Sequence, residues 1–125
     1  MGRPTPAPQV SPGWPVAGRP GVVFFVRPRF LVPLCQAIAA TPSLGSRAEL
    51  AVVSSQASAT CTALLAVTDG DGSLAAGFGM RRPRDGGPPV GYAVVDRTGR
   101  VRYRTLDPGV VSGLREVEAI VKALP

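Results

Sequence analysis

At 125 residues the chain has room for one hydrophobic core and not two. Apolar residues make up 45% and charged residues 18% of it, so most of the chain should fold. It has no histidine and two cysteines, Cys35 and Cys61, with no CxxC spacing. A Cys/His zinc site, a Ser-His-Asp triad and a Cys-His dyad are therefore excluded within one chain.

Two cysteines are also too few for the disulfide scaffold of a small secreted domain. The net charge is +6, and Lys122 is the sole lysine among 14 basic residues. The arginines are spread over loops and one strand with few aromatics between them, which argues against a nucleic-acid partner. No apolar run approaches the roughly 18 residues that a membrane span requires, so no membrane is expected. The apolar stretch at residues 30–40 is broken by Pro33 and starts too far into the chain for a signal peptide. The cytoplasm is the default compartment.

The first 28 residues hold seven of the 14 prolines and show no periodic apolar pattern before Val22. Residues 1–19 read as an extended or disordered proline-rich leader, and residues 20–125 as the folded domain. Val22 to Val26 is a short continuous apolar run bounded by Pro20-Gly21 and Pro28, the pattern of a fully buried central strand. Leu34 to about Ala40 reads as a helix stopped by Pro42 and Gly45. Cys35 then falls at its N-terminus, where the macrodipole and unpaired amides favour a thiolate.

Glu49 to Ser54 reads as a second buried strand, and Ser55 to Leu65 as a helix that turns Cys61 inward. Asp69-Gly-Asp-Gly72 is a turn; it lacks the spacing and the final glutamate of a calcium loop. Leu74 to Phe78 makes a helical turn closed by Gly79, and residues 81–89 form a loop rich in Pro, Gly and Arg. Tyr92–Asp96 and Arg100–Arg104 read as a hairpin joined by Arg97-Thr98-Gly99. Its second strand alternates, placing Val101 and Tyr103 on one side and three arginines on the other. Val110, Leu114, Val117, Ile120, Val121 and Leu124 share one face of a closing helix, with Asp107-Pro108 ahead of it. The order β-α-β-α, hairpin, helix gives an α/β sandwich, a central mixed sheet flanked by helices, and resembles the thioredoxin-like arrangement.

Three segments carry a family resemblance. Val23-Phe-Phe-Val-Arg-Pro28 followed by Val32-Pro-Leu-Cys35 resembles the strand and P-x-x-x-T-x-x-C loop of the peroxiredoxins, the alkyl hydroperoxide reductase/thiol-specific antioxidant family. Val67 to Gly79 is similar to that family's D-x-x-x-x-x-A-x-x-Y-G-V segment, with Phe78 for tyrosine. Gly91 to Tyr103 is similar to its T-F-V-I-D-x-x-G-x-I-R-Y hairpin.

The resemblance implies a thiol-dependent peroxidase with Cys35 as the peroxidatic cysteine. Pro28 and Val32 would line its pocket, and Cys61 would be the resolving thiol, as in members resembling the bacterioferritin-comigratory subgroup. It implies a hydroperoxide substrate, a thioredoxin-like or low-molecular-weight thiol reductant and no metal, haem or flavin cofactor, and it leaves a homodimer open. Val32 stands at the family's threonine position, Ile38 at its glutamate and Val90 at its arginine. Arg27, Arg29, Arg81, Arg82 and Arg84 lie on nearby loops as replacements for that cation, and spacing selects none of them. The alternative is a non-catalytic or monothiol thioredoxin-like domain, in which Val32-Pro-Leu-Cys35 is a CxxC motif without its first cysteine.

Overall fold

The computed structural model describes residues 5–56 and 64–125. The apolar run after Pro20-Gly21 forms β2 (Gly21–Phe25), every residue of which is buried. It pairs in parallel with β3 (Glu49–Ser54) and antiparallel with β5 (Gly91–Val95). With β1 (Thr5–Pro6), β4 (Leu65–Thr68) and β6 (Arg100–Leu106), the six strands form one mixed sheet in the order β1-β6-β5-β2-β3-β4. Side chains alternate between its two faces, so each face carries its own core. One buries Leu34 and Ile38 of α1 (Leu31–Ala39), Leu44 of α2 (Pro42–Arg47) and Leu114, Val117 and Val121 of α4 (Leu114–Lys122). The other packs Val10, Trp14 and Ala75 of α3 (Ser73–Gly77) with Phe78 against Phe25 and Val23. The expected α/β sandwich is present.

Several boundaries differ from the sequence reading. Pro42 opens α2 instead of only ending α1, because a proline in a first helical turn forfeits no intrahelical bond. Leu65, expected at the end of a helix, starts β4 beside Ala51. The remainder of the Ser55–Leu65 helix, Cys61 included, lies largely outside the described residues. From Thr5 onward, the segment read as a leader is packed on the sheet. Thr5 and Pro6 pair with Val101 and Arg100, Val10 is buried, and Trp14 covers Gly21. Prolines hide this role from a periodicity search, since they hold the chain extended and leave side chains to do the anchoring.

The hairpin carries the clearest correction. Val94 faces Tyr103 and Val95 faces Val101, so Arg102 is an extra residue in the ladder. This bulge turns Val101 and Tyr103 to opposite faces. Val101 joins the core beside Val10, while Tyr103 packs on the other face, its ring 5.8 Å from that of Tyr92. The expectation that both share one side assumes an unbroken ladder.

Asp96 organises the turn that follows β5. Its Oδ1 accepts from the Thr98 amide at 2.8 Å, the Thr98 hydroxyl at 2.6 Å and the Arg100 amide at 3.1 Å, and its Oδ2 from Arg102 Nε at 2.7 Å. Gly99 completes the turn at φ +83°, which costs a glycine nothing. Burial alone would raise the Asp96 carboxyl; the bonds from Thr98, Arg102 and Arg100 outweigh it and hold the group far below the carboxylate range. Its contribution to stability is therefore complete above the unfolded value of 3.8 and is lost as pH falls from there toward the folded value. Asp96→Ala should cost about 2 kcal/mol in neutral urea titrations. The gap from wild type should close as the titrations are repeated at progressively more acid pH, and a gap that stays constant would refute this role.

Candidate redox site and strand-end cavity

The chain leaves the central strand through Val26 and Arg27, and Arg27 is extended (φ −79°, ψ 154°), as a residue before proline must be. Pro28–Phe30 make one 3-10 turn that runs into α1. Pro33 is the third residue of α1, where its missing amide would have had no carbonyl partner. The helix consequently begins at Leu31, three residues before the sequence reading placed it, and Cys35 is its fifth residue. The expectation of a cysteine at a helix N-terminus is corrected: Cys35 lies in the second turn, beyond the first-turn reach of the macrodipole.

Cys35 is half-buried against the core shared with Leu34 and Ile38, and it is disulfide-bonded. Pro28 and Val32 are both exposed, Val32 to 53%. Val32 precedes Cys35 by three positions on the same helix, so the two are surface neighbours. Cys61 lies outside the described residues.

Four of the five arginines considered as replacement cations have separate employments. Arg27 forms an ion pair with Asp85 at 2.9 Å and donates from Nε to the Pro88 carbonyl at 3.1 Å. The Gly87 amide and then Arg27 lower the Asp85 carboxyl, and together these bonds latch the 81–89 loop to the segment leading into α1. Arg29 sits 4.8 Å from the Phe30 ring centroid. Arg81 and Arg82 line a cavity.

That cavity, of about 390 Å³, opens at the carboxyl ends of β2 and β3. Ligand crevices of α/β sheets lie at this edge. Phe25, Val53 and Met80 supply apolar wall, and Gly86 to Pro89 the outer rim. Cys35, Pro28 and Val32 are not among its lining residues. Asp69 and Asp71 are, and their oxygens are committed locally. Asp69 accepts from the Leu74 and Ala75 amides at 3.2 and 3.1 Å, and Asp71 from the Ser73 amide at 3.0 Å. The turn expected at these aspartates is thus the one found. Ser54 also lines the cavity; it is 3% exposed, and its Oγ has no hydrogen-bond partner among the described residues. Sequence reasoning passed over Ser54, whose one signal is a hydroxyl closing the apolar run Leu50–Val53.

No family model and no curated protein matches the chain. Solved structures do. One describes the alkyl peroxide reduction activity of Xanthomonas campestris bacterioferritin comigratory protein. It is 20% identical, with a TM-score of 0.65 over 86% of this chain and 80% of that one. The fold is that of the peroxiredoxins. Mycobacterium tuberculosis AhpC aligns with a TM-score of 0.64 at 21% identity, over 90% of this chain and 78% of its own. A third is MTB dsbF in its mixed oxidised and reduced forms. Its TM-score is 0.57 at 19% identity, over 85% of this chain and 83% of its own. At such identities the likeness is one of backbone, and it extends over most of both chains. Within this fold, the helix bearing Cys35 follows the central strand through the 3-10 turn Pro28–Phe30.

Proposed function

We propose that the protein is a thiol-dependent peroxidase of the peroxiredoxin type, with Cys35 as nucleophile and Cys61 as resolving thiol. The observation that carries this reading is the disulfide at Cys35, on the helix that leaves the central strand of a peroxiredoxin fold. In the first step the Cys35 thiolate attacks the terminal oxygen of a hydroperoxide. An S–O bond forms, the O–O bond breaks, and the alcohol leaves with a proton. The Cys61 thiolate then attacks the sulfenic sulfur, forming the disulfide and releasing water. A thioredoxin-like or low-molecular-weight thiol returns both sulfurs to the reduced state. Pro28 and Val32, exposed ahead of Cys35, border the approach of the peroxide. A cycling disulfide suits the cytoplasm, where disulfides of mesophilic proteins are mostly transient and catalytic.

Adding one equivalent of peroxide to the fully reduced protein tests the reading. Both thiols should disappear and the intact mass should fall by two hydrogens, whereas Cys61→Ser should gain one oxygen at Cys35. An unchanged thiol titre would contradict it. A second reading is favoured by the position of Cys35 inside α1 and against the core: a non-catalytic thioredoxin-like domain that uses its disulfide as a crosslink. That reading requires the reduced protein to be much less stable and indifferent to peroxide.

A further inference from the structure

Cys35 does not line the strand-end cavity, and the composition of that cavity is that of a binding site. Its volume of about 390 Å³ is within the range of small-molecule pockets. Its walls are mostly apolar, from Phe25, Val26, Val53 and Met80. Four charged side chains line it, and they differ in what they have left to offer. Asp69 spends both carboxylate oxygens on the first amides of α3, and Asp71 accepts from Ser73. Arg81 and Arg82 make no hydrogen bond or ion pair among the described residues. The uncommitted positive charge of the cavity is therefore that of the Arg81 and Arg82 guanidiniums, forks whose geometry matches an oxyanion, and the Ser54 hydroxyl adds a polar group without a partner among the described residues.

Arg27 supports the arrangement from outside. Its bonds to Asp85 and Pro88 fix the loop that follows Arg82, so the rim is held by a built contact. The two aspartates also set the charge of the guest. A dianion would meet both carboxylates at short range, while a single negative charge can be held by the arginine pair with less repulsion.

We infer that this cavity binds a small amphiphilic carboxylate, its apolar body against Phe25, Val53 and Met80 and its carboxylate on Arg81 and Arg82. Cys35, Pro28 and Val32 do not line this site.

Calorimetric titration of the whole protein with decanoate, decanol and decyl phosphate tests the assignment. Decanoate should bind saturably with a stoichiometry of one, and decanol and decyl phosphate more weakly. The double variant Arg81→Ala/Arg82→Ala, on an exposed loop, should weaken decanoate by about tenfold or more. Arg115→Ala, on α4 across the sheet, should leave it unchanged. Met80→Asp should weaken decanoate as well, by placing a charge on the apolar wall. Absence of saturation would overturn the assignment. So would equal affinity for decanol, equal loss in the Arg115 variant, tighter binding of decyl phosphate, or a Met80 variant that binds as well as wild type.

Discussion

On the proposed mechanism, Cys35→Ser should abolish peroxide consumption, lowering the rate with excess thiol reductant by about a thousandfold or more. The substitution replaces one atom and keeps the shape of a half-buried side chain, so the helix should persist. What it removes is the polarisable thiolate, which neither a hydroxyl nor its rarely formed anion can replace on an O–O bond. Losing the disulfide also removes a crosslink, of the order of 2–4 kcal/mol in typical cases. Cys61→Ser controls for that, because on the proposed pairing it breaks the same bond. It should retain the first turnover and lose only efficient recycling. Equal activity of wild type and Cys35→Ser would remove the enzymatic reading; equal loss in both variants would assign the effect to folding.

The largest structural effect is expected at Gly91, the first residue of β5. A Cβ there would collide with the backbone carbonyl oxygen of Thr105 and lie 2.9 Å from Leu106 Cα. Both obstacles are main chain of the adjoining strand, so no rotamer change relieves them. β5 is buried throughout and is bonded to β2 on one side and β6 on the other. Gly91→Val must therefore separate β5 from β6 at this end, and should cost about 3 kcal/mol or more in a urea titration. Gly70→Ala, in a turn with open space around it, serves as the tolerant comparison. Comparable midpoints for the two variants would contradict the strand packing described here.

The elements most legible in the sequence are those whose stability is local to their own pattern. β3 occupies the residues that its apolar run outlined, and four of the six residues expected on the closing helix face are buried, Leu114, Val117 and Val121 on α4 and Val110 on the 3-10 turn ahead of it. Where neighbours decide, pattern reading loses its hold. β4 is only partly buried, and its pairing with β3 makes it a strand. The bulge at Arg102 reverses the facing of Val101 relative to Tyr103 through a one-residue change of register that no spacing announces. The N-terminal segment was hidden by its prolines, although Val10 and Trp14 anchor it.

The candidate site divides in the same way. Cys35 was prominent because a cysteine after a buried strand is a local signal. Its depth in α1 was not, because a proline in the first turn looks from the sequence like a helix breaker. The cavity could not be read at all. It assembles the ends of two strands, the 69–73 turn and the 80–89 loop, which only the parallel pairing of β2 and β3 brings together.

The most direct test is the single-turnover reaction of the reduced protein with hydroperoxide, followed by loss of the Cys35 thiol. If this sulfur is an evolved peroxide nucleophile, its second-order rate constant exceeds that of a free cysteine peptide at the same pH by orders of magnitude. A rate no greater than the peptide's would make the bond at Cys35 a staple and leave the fold without its proposed reaction.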